Sequence, residues 1–245
     1  TVLDVGQGLA VVVRTRAHTL VYDTGPPWTE TADAGSRIVA PFLRREGIAQ
    51  VDALVVSHGD ADHAGGAASL LASVPVVRML SSLPDDHRLV ALRAERDAHV
   101  ERCAAGTRWT WDGVAFELLH PPPGRFDEPG VKANDLSCVV LVRAAGARVL
   151  LAGDIEARSE ASLLASGRDT LSADAIVVPH HGSRTSSTRA FVRAVDPALA
   201  IFASGYRNRF GHPRAEVVAR YAARGAAIAR TDHDGAIAFD AGESG

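Results

Sequence analysis

The segment Ser57-His58-Gly59-Asp60-Ala61-Asp62-His63-Ala64-Gly65-Gly66 places two imidazoles and two carboxylates within six residues, directly after the apolar run ALVVS. Side chains this crowded repel or desolvate one another unless cations sit among them. Alternate residues of an extended or loop segment point the same way, so His58 and Asp60 face one ion. Asp62 and His63 are adjacent and diverge, which suits a second ion. Metal-capable groups also end three other apolar runs: Asp23 after TLVY, Asp154 after RVLLAG, and His180 and His181 after AIVVP. The pattern predicts one ion on His58, Asp60 and Asp154, and another on Asp62, His63, Asp154 and His181, with Asp154 bridging. Two ions ~3.5–4 Å apart clamp a hydroxide and stabilise charge on attacking and leaving oxygens. Taken singly, Asp23 also reads as a turn residue, Asp154 as a helix N-cap and HHGS as a polar loop.

Leaving-group chemistry needs a proton donor, and His180 and His212 are the candidates, beside Asp62 in the reacting centre. Ser183, in the HHGS turn, and Asn208 and Arg209, in a Gly-containing loop, are candidate phosphate contacts; Ser183 and Asn208 also read as turn residues, and His212 as structural. Net charge is −3, but residues 184–230 carry nine arginines against Asp196 and Glu216. A locally positive region fits a polyanion, although 25 Arg to a single Lys also marks a compositional bias. Aromatics are only 5%, so no extended stacking platform is evident. His18, His87, His99, His120 and His233 read as surface or structural. Cys103 and Cys138 form no metal motif; Cys138 sits in an apolar run as a core residue, and the spacing leaves open whether the two pair.

The elements that must hold these groups alternate in type. VLDV, LAVVVRT and TLVYD read as strands, Ser36–Glu46 as a helix with Pro41 at a kink or in its first turn, and VDALVVS as a buried strand. Asp62 suits the cap of a helix through GGAASLLAS. VVRML is a strand, and His87–Cys103 an amphipathic helix. The pattern then restarts with TRWTW and VAFELLH around Asp112-Gly113, a hairpin dipeptide, and LSCVVLVRA and RVLLAGD around Gly146. Helix 157–166, strand DAIVVP, helix 187–195, strand ALAIFAS, helix 213–224 and strands AIAR and AIAFD follow. Two such rounds predict an α/β fold of two mixed sheets stacked face to face with helices outside. The 245 residues suffice for one large domain, 1–245. No apolar run approaches the ~18 residues of a membrane span.

YDTG, SHGDADHAGG, LLAGD and VPHHGS resemble, in that order, the metallo-β-lactamase superfamily. LDVGQG, NDLSCVVLV, GDIE, VPHHGSRTSS, FGHP and TDHDGAIAF narrow the resemblance to the β-lactamase-like domain of the ComEC family, the DNA-uptake channel proteins of natural competence. The resemblance implies an αββα sandwich with its site on one edge. It also implies a soluble domain excised from a multi-pass membrane protein, on the extracytoplasmic (periplasmic) face of the inner membrane. The implied function is a metal-dependent nuclease that degrades the non-imported DNA strand. The implied partners are DNA, the channel and other domains of the same polypeptide, and the competence machinery, with no small-molecule cofactor.

Two departures stand out. The superfamily pattern is HxHxDH, and Asp60 stands where its second histidine falls. The third histidine of the first site has no equivalent; Asn134-Asp135-Leu136-Ser137 occupies its place, so Asn134, Asp135 or Ser137 is a candidate oxygen ligand. Asp23 is implied to support the ligand loop. Oxygen donors harden the site, which favours Mn²⁺ or Mg²⁺ over Zn²⁺ at least on that side; the expected cofactors are two divalent ions, Mn²⁺ or Zn²⁺, with Mg²⁺ as a further candidate. Rival readings are a hydrolase of a small ester, lactone or phosphorylcholine-type substrate, and a non-catalytic DNA-guiding module with a decayed metal site.

Overall fold

Period-two alternation sorts the side chains of each strand between two environments. In β1 (Val11–Arg14), β2 (Thr19–Tyr22) and β5 (Val51–Val56), residues Val11, Leu20, Tyr22, Ala53 and Val55 enter one core, while Val12, Val21, Leu54 and Val56 enter another. The computed structural model describes residues 1–94, 99–167 and 170–241. With β6 (Val76–Ser81) and β7 (His99–Arg102), these strands form a sheet of order β1-β2-β5-β6-β7, parallel except for β1. A short hairpin, β3 (Pro27–Thr29) and β4 (Ala32–Asp33), lies apart from it.

The second sheet contains β8 (Arg108–Trp111), β9 (Val114–His120), β10 (Val139–Arg143), β11 (Arg148–Leu151), β12 (Ala175–Val177), β13 (Leu199–Phe202) and β14 (Ala227–Arg230). It is antiparallel from β8 to β11 and parallel from β11 to β14. Leu20, Tyr22, Val55 and Leu80 of one sheet share a core with Phe116, Val140, Leu151 and Ile201 of the other. Helices α1 (Ala40–Arg45) and α3 (Ala67–Ser73) cover the outer face of the first sheet through Leu43 and Leu70. Helices α5 (Ala157–Ser166), α6 (Arg189–Val195) and α7 (Ala215–Ala222) cover the second through Leu163, Phe191, Val217 and Tyr221. This is the αββα sandwich expected from the alternation.

Local expectations fail where tertiary pairing overrides the local pattern. VLDV is not a strand: Val2 makes only isolated bridges to Val11 and Ile237. AIAFD is not a strand either, because the chain first forms the helical turn α8 (Thr231–Asp234), leaving room only for the Ile237 bridge. The helix expected over His87–Cys103 is α4 (Arg88–Ala94) followed by β7, which extends the sheet along β6 and turns Val100 onto the first core; residues 95–98 of that expectation lie outside the described residues. The Ser36–Glu46 helix is a π turn, Gly35–Val39, leading into α1, with Pro41 in the first turn, where no hydrogen bond needs its missing N–H. Cys103 and Cys138 form a disulfide in the core between the sheets.

Candidate metal centre

Asp23 follows β2, Ser57 and His58 follow β5, Asp154 follows β11, and His180 and His181 follow β12. These strand ends meet at one edge of the sandwich, where rigid strands fix the loop bases. The glycine pair closing the 57–66 segment allows a close approach. A Cβ on Gly65 would lie 2.3 Å from the Pro27 ring, and one on Gly66 would lie 2.3 Å from the Gly35 nitrogen. Only bare backbone lets α2 (Ala61–Ala64) settle against the hairpin and the Gly35 turn.

The buried Asp23 carboxylate organises the first imidazoles. It accepts the Ser57 backbone N–H at 2.7 Å, the Ser57 hydroxyl at 2.7 Å and His63 Nδ1–H at 2.8 Å. Since the Ser57 hydroxyl hydrogen goes to Asp23, its oxygen accepts from His58 Nδ1–H at 3.0 Å. His181 Nδ1–H donates to the Ala203 carbonyl at 2.7 Å. Three imidazoles are thereby held with their Nε2 lone pairs turned to one place.

What gathers there is almost all acceptor. His63 Nε2 lies 3.0 Å from Asp154 Oδ1 and 3.2 Å from His181 Nε2. His181 Nε2 lies 3.2 Å from Asp62 Oδ2 and 3.7 Å from Asp154 Oδ2. His58 Nε2 is buried without any hydrogen-bond partner. Burial pushes the Asp154 carboxyl up, yet the His63 and His181 charges and the His63 hydrogen bond hold it well below the usual carboxylate range. Burial pushes His63 down, but Asp154 and Asp23 raise it well above an ordinary histidine. For Asp62 burial is likewise overcome by the His181 hydrogen bond and the His63 and His181 charges, which bring it to about 2. The site therefore calls for positive charge, and without a metal ion only protons on its imidazoles provide it. The donors fit divalent cations: His58, His63 and Asp154 form one group, and Asp62, His63 and His181 another, the ligand atoms of each lying within 4.8 Å of one another.

This grouping differs from the sequence expectation, which shares Asp154 between the ions: here His63 is common to both groups and Asp154 belongs to one. Asp60 is in neither group; its side chain is 52% exposed and its Oδ2 stands 3.6 Å from His58 Nε2. Asp62 does not cap the helix through GGAASLLAS: it sits inside α2, and α3 follows Gly66 with no side-chain cap. Among the residues at 134–137, Asp135 is in neither group. Asp135 Oδ1 accepts the Ser159 hydroxyl at 2.9 Å, Ser137 Oγ accepts the Asp154 backbone N–H at 3.1 Å, and the Asn134 carbonyl accepts the Ser137 N–H.

At the mouth, His180 and His181 both adopt left-handed backbone, each with φ 52°, and Gly182 continues it. Left-handed non-glycine residues cost roughly 1–2 kcal/mol each, and here that conformation aims His181 inward and His180 outward. His180 Nδ1 lies 3.1 Å from Thr185 Oγ1, and its Nε2 3.8 Å from Asp154 Oδ2. The His212 ring stands 5.8 Å from that of His180. Burial, with the His181, His180 and Arg214 charges behind it, lowers His212 to about 4. Ser183 is buried, with Oγ 3.1 Å from Thr185 Oγ1. Asn208 spends its amide on the loop itself, donating to the Gly205 and His212 carbonyls and accepting the His212 N–H. Arg209 is exposed, its guanidinium 4.8 Å over the Phe210 ring. Within the arginine-rich stretch, Arg184 pairs with Glu216, Arg224 pairs with Asp196, and Arg220 donates to the Ser186 and Ser187 carbonyls. Much of that charge is thus tied up in the fold.

The family described as the metallo-beta-lactamase superfamily matches residues 3–205. The chain belongs to the metallo-β-lactamase superfamily. Among curated proteins, this superfamily member is 37% identical over 245 residues to "Competence protein ComA" of Neisseria gonorrhoeae, covering 100% of this chain and 32% of the relative. It is 34% identical over 237 residues to "Recombination protein 2" of Haemophilus influenzae, covering 96% and 28%. The chain thus spans about a third of the length of the curated relatives it matches, as a ComEC-type domain does. Among solved structures, Igni18, a metallo hydrolase of Ignicoccus hospitalis, superimposes with a TM-score of 0.61 at 14% identity over 98% of both chains, a likeness of fold. Divalent metal ions are implied by the superfamily fold, and among the described residues no helix is long and apolar enough to cross a membrane.

Two groups around the metallo-β-lactamase centre carry predictions. Asp23→Asn keeps a residue that tolerates the left-handed backbone at φ 58°, but removes the charge and sets an amide donor against three donors. It is expected to lower metal affinity roughly 10–100-fold, as loss of a carboxylate behind a ligand histidine does, read by titration against a chelating dye. The second group is His120, buried at the end of β9. Its Nδ1–H donates to the Ser137 carbonyl at 2.9 Å and its Nε2 has no partner. Burial lowers it from 6.5 to about 4, against the opposing Ser137 hydrogen bond. The unfolded chain therefore binds this proton more tightly than the folded one. Stability is complete above pH 6.5 and drains away as the pH falls toward 4, by about 3 kcal/mol in all. Urea unfolding from pH 7.5 to 4.5 should show that loss in the wild type and a shallower one in His120→Gln.

Proposed function

We propose that this chain is the metal-dependent phosphodiesterase of a DNA-uptake protein and hydrolyses the DNA strand that is not imported. One observation carries the reading: three imidazole Nε2 atoms and two carboxylates converge at one place, with each Nδ1 committed elsewhere, and His63 is common to both groups. His58, His63 and Asp154 would hold one cation, and Asp62, His63 and His181 the other, Mn²⁺ or Zn²⁺ by donor type, with Mg²⁺ next. When bound, the cations supply a water that ionises near neutral pH and neutralise charge on the phosphate oxygens. Asp23 and the Ala203 carbonyl keep His63 and His181 in the tautomer that presents Nε2. His180 and His212 are the candidates to carry a proton to the leaving oxygen; His212, lowered to about 4, is neutral near pH 7, which leaves His180 as the donor.

The competence relatives support the cellular setting. Residues 1–245 would form one domain of a longer multi-pass protein, on the extracytoplasmic face of the inner membrane, working with the competence machinery. The Cys103–Cys138 bridge suits an oxidising compartment. A non-catalytic DNA-guiding module is favoured by one feature, the exclusion of Asp60 from the first group. The test is hydrolysis of bis-p-nitrophenyl phosphate, nitrocefin, a lactone and linear DNA, each with Mn²⁺ and with Zn²⁺. Cleavage of both phosphodiesters is expected. Turnover of the β-lactam or lactone with inert DNA would sink the nuclease reading, and DNA binding without cleavage under any metal would favour the guiding module.

A further inference from the structure

Beside the centre, residues 205–212 form a loop closed at its base. Asn208 Nδ2 donates to the Gly205 and His212 carbonyls, at 2.9 and 2.5 Å, and Asn208 Oδ1 accepts the His212 N–H at 3.0 Å. The Gly205 N–H is anchored on the Gln7 side chain. Tied in this way, the loop loses little further entropy when something lies on it.

The crown of the loop is aromatic and cationic. Tyr206 is 69% exposed and Phe210 44%, two of only four large apolar side chains so exposed among the described residues. The Arg207 guanidinium lies 5.2 Å over the Tyr206 ring, and that of Arg209 lies 4.8 Å over Phe210. Neither arginine makes an ion pair among the described residues. Grouped apolar exposure beside a site is a binding signal. A file of rings joins the crown to the centre: Phe210 stands 5.8 Å from His212, His212 is 6.4 Å from His181, and His181 is 5.1 Å from His63.

We infer that this loop is a stacking ledge for an unpaired polynucleotide strand, whose bases lie on Tyr206, Phe210 and the flanking guanidiniums while its phosphates meet Arg207 and Arg209. A duplex keeps its base faces stacked inside and cannot use such a surface; an unpaired strand can, whatever its sequence. The ledge thus makes the phosphodiesterase proposed above selective for single-stranded DNA, and it rests on that reading. The scarcity of aromatics in the composition hides the ledge, because two rings suffice when they stand at the rim of the centre.

The test compares three fluorescent ligands of equal length: an oligo-dT strand, the same backbone without bases, and a duplex. Binding is read by anisotropy in EDTA, and KM and kcat by cleavage with Mn²⁺. For the wild type, the base-bearing strand is expected to bind roughly tenfold or more tighter than the abasic one, and tighter than the duplex. In Tyr206→Ala/Phe210→Ala the base-bearing and abasic strands should converge, with the ratio of their KM values falling rather than the ratio of their kcat values. Phe210→Trp should restore the preference. A wild type that does not distinguish bases from abasic sites, or a double variant that keeps the preference, overturns the ledge. Absence of any phosphodiester cleavage overturns the hydrolase reading instead, and the ledge is then judged by the anisotropy alone.

Discussion

Alanine in place of His63 is expected to lower phosphodiester hydrolysis by roughly 10³-fold or more, while Asp60→Ala loses about tenfold at most. Spacing alone ranks the two positions together, since both belong to the same run of metal-capable residues. The structure separates them. His63 is fully buried, its Nδ1 is fixed by Asp23, and its Nε2 is within 3.0 Å of Asp154 and 3.2 Å of His181. It is the shared member of both ligand groups, so its removal weakens two cation positions at once. Asp60 lies at the rim, outside both groups. In the metal-free protein, removing His63 also leaves Asp23 and Asp154 buried without their common cation, a change that costs about 3–5 kcal/mol for a buried pair. Metal content per chain, measured beside circular dichroism, distinguishes an empty site from an unfolded protein. His63→Ala that stays folded, binds two equivalents of metal and turns over at the wild-type rate would remove the shared-ligand arrangement.

The parts of this centre that were legible in the sequence are those where local pattern and tertiary fold agree. The apolar runs ending at Asp23, His58, Asp154 and His181 are strands buried on both faces, so their ends had to meet solvent at one edge of the sandwich. Ligand assignment within the run was less legible. Period-two reasoning assumes extended backbone, but residues 61–64 form a helical turn. That turn brings Asp62 and His63 toward His181 and leaves Asp60 outside. The Ala203 carbonyl that orients His181 has no sequence signature, because a backbone oxygen is present at every position. Ser57 was legible only as the last residue of a strand, yet its hydroxyl links Asp23 to His58. The chain termini misled for a related reason. VLDV and AIAFD have strand composition, but they pair only through isolated bridges at Val2 and Ile237, and composition cannot say whether an edge is available.

Reduction of the Cys103–Cys138 disulfide is expected to lower stability by about 4 kcal/mol, from closure of a 35-residue loop in the unfolded chain. The bridge joins the two sheets through the core. Cys103 follows β7, with its N–H on the Ser81 carbonyl, and Cys138 leads into β10, with its N–H on the Ser57 carbonyl at 2.9 Å. The Tyr22 hydroxyl donates to the Cys138 carbonyl at 2.6 Å. Cys138 is therefore one backbone hydrogen bond from Ser57, which links Asp23 to His58, and loosening it should reach the centre. Urea unfolding with and without reductant measures the first effect. Metal affinity of the reduced, still folded protein measures the second, which should fall in the same direction as in Asp23→Asn. A Cys103→Ala/Cys138→Ala variant separates the cross-link from the reductant, since reductant should not change it further. Equal unfolding midpoints for the oxidised and reduced chains would mean that the sandwich core, rather than the bridge, holds the two sheets in register at the metal edge.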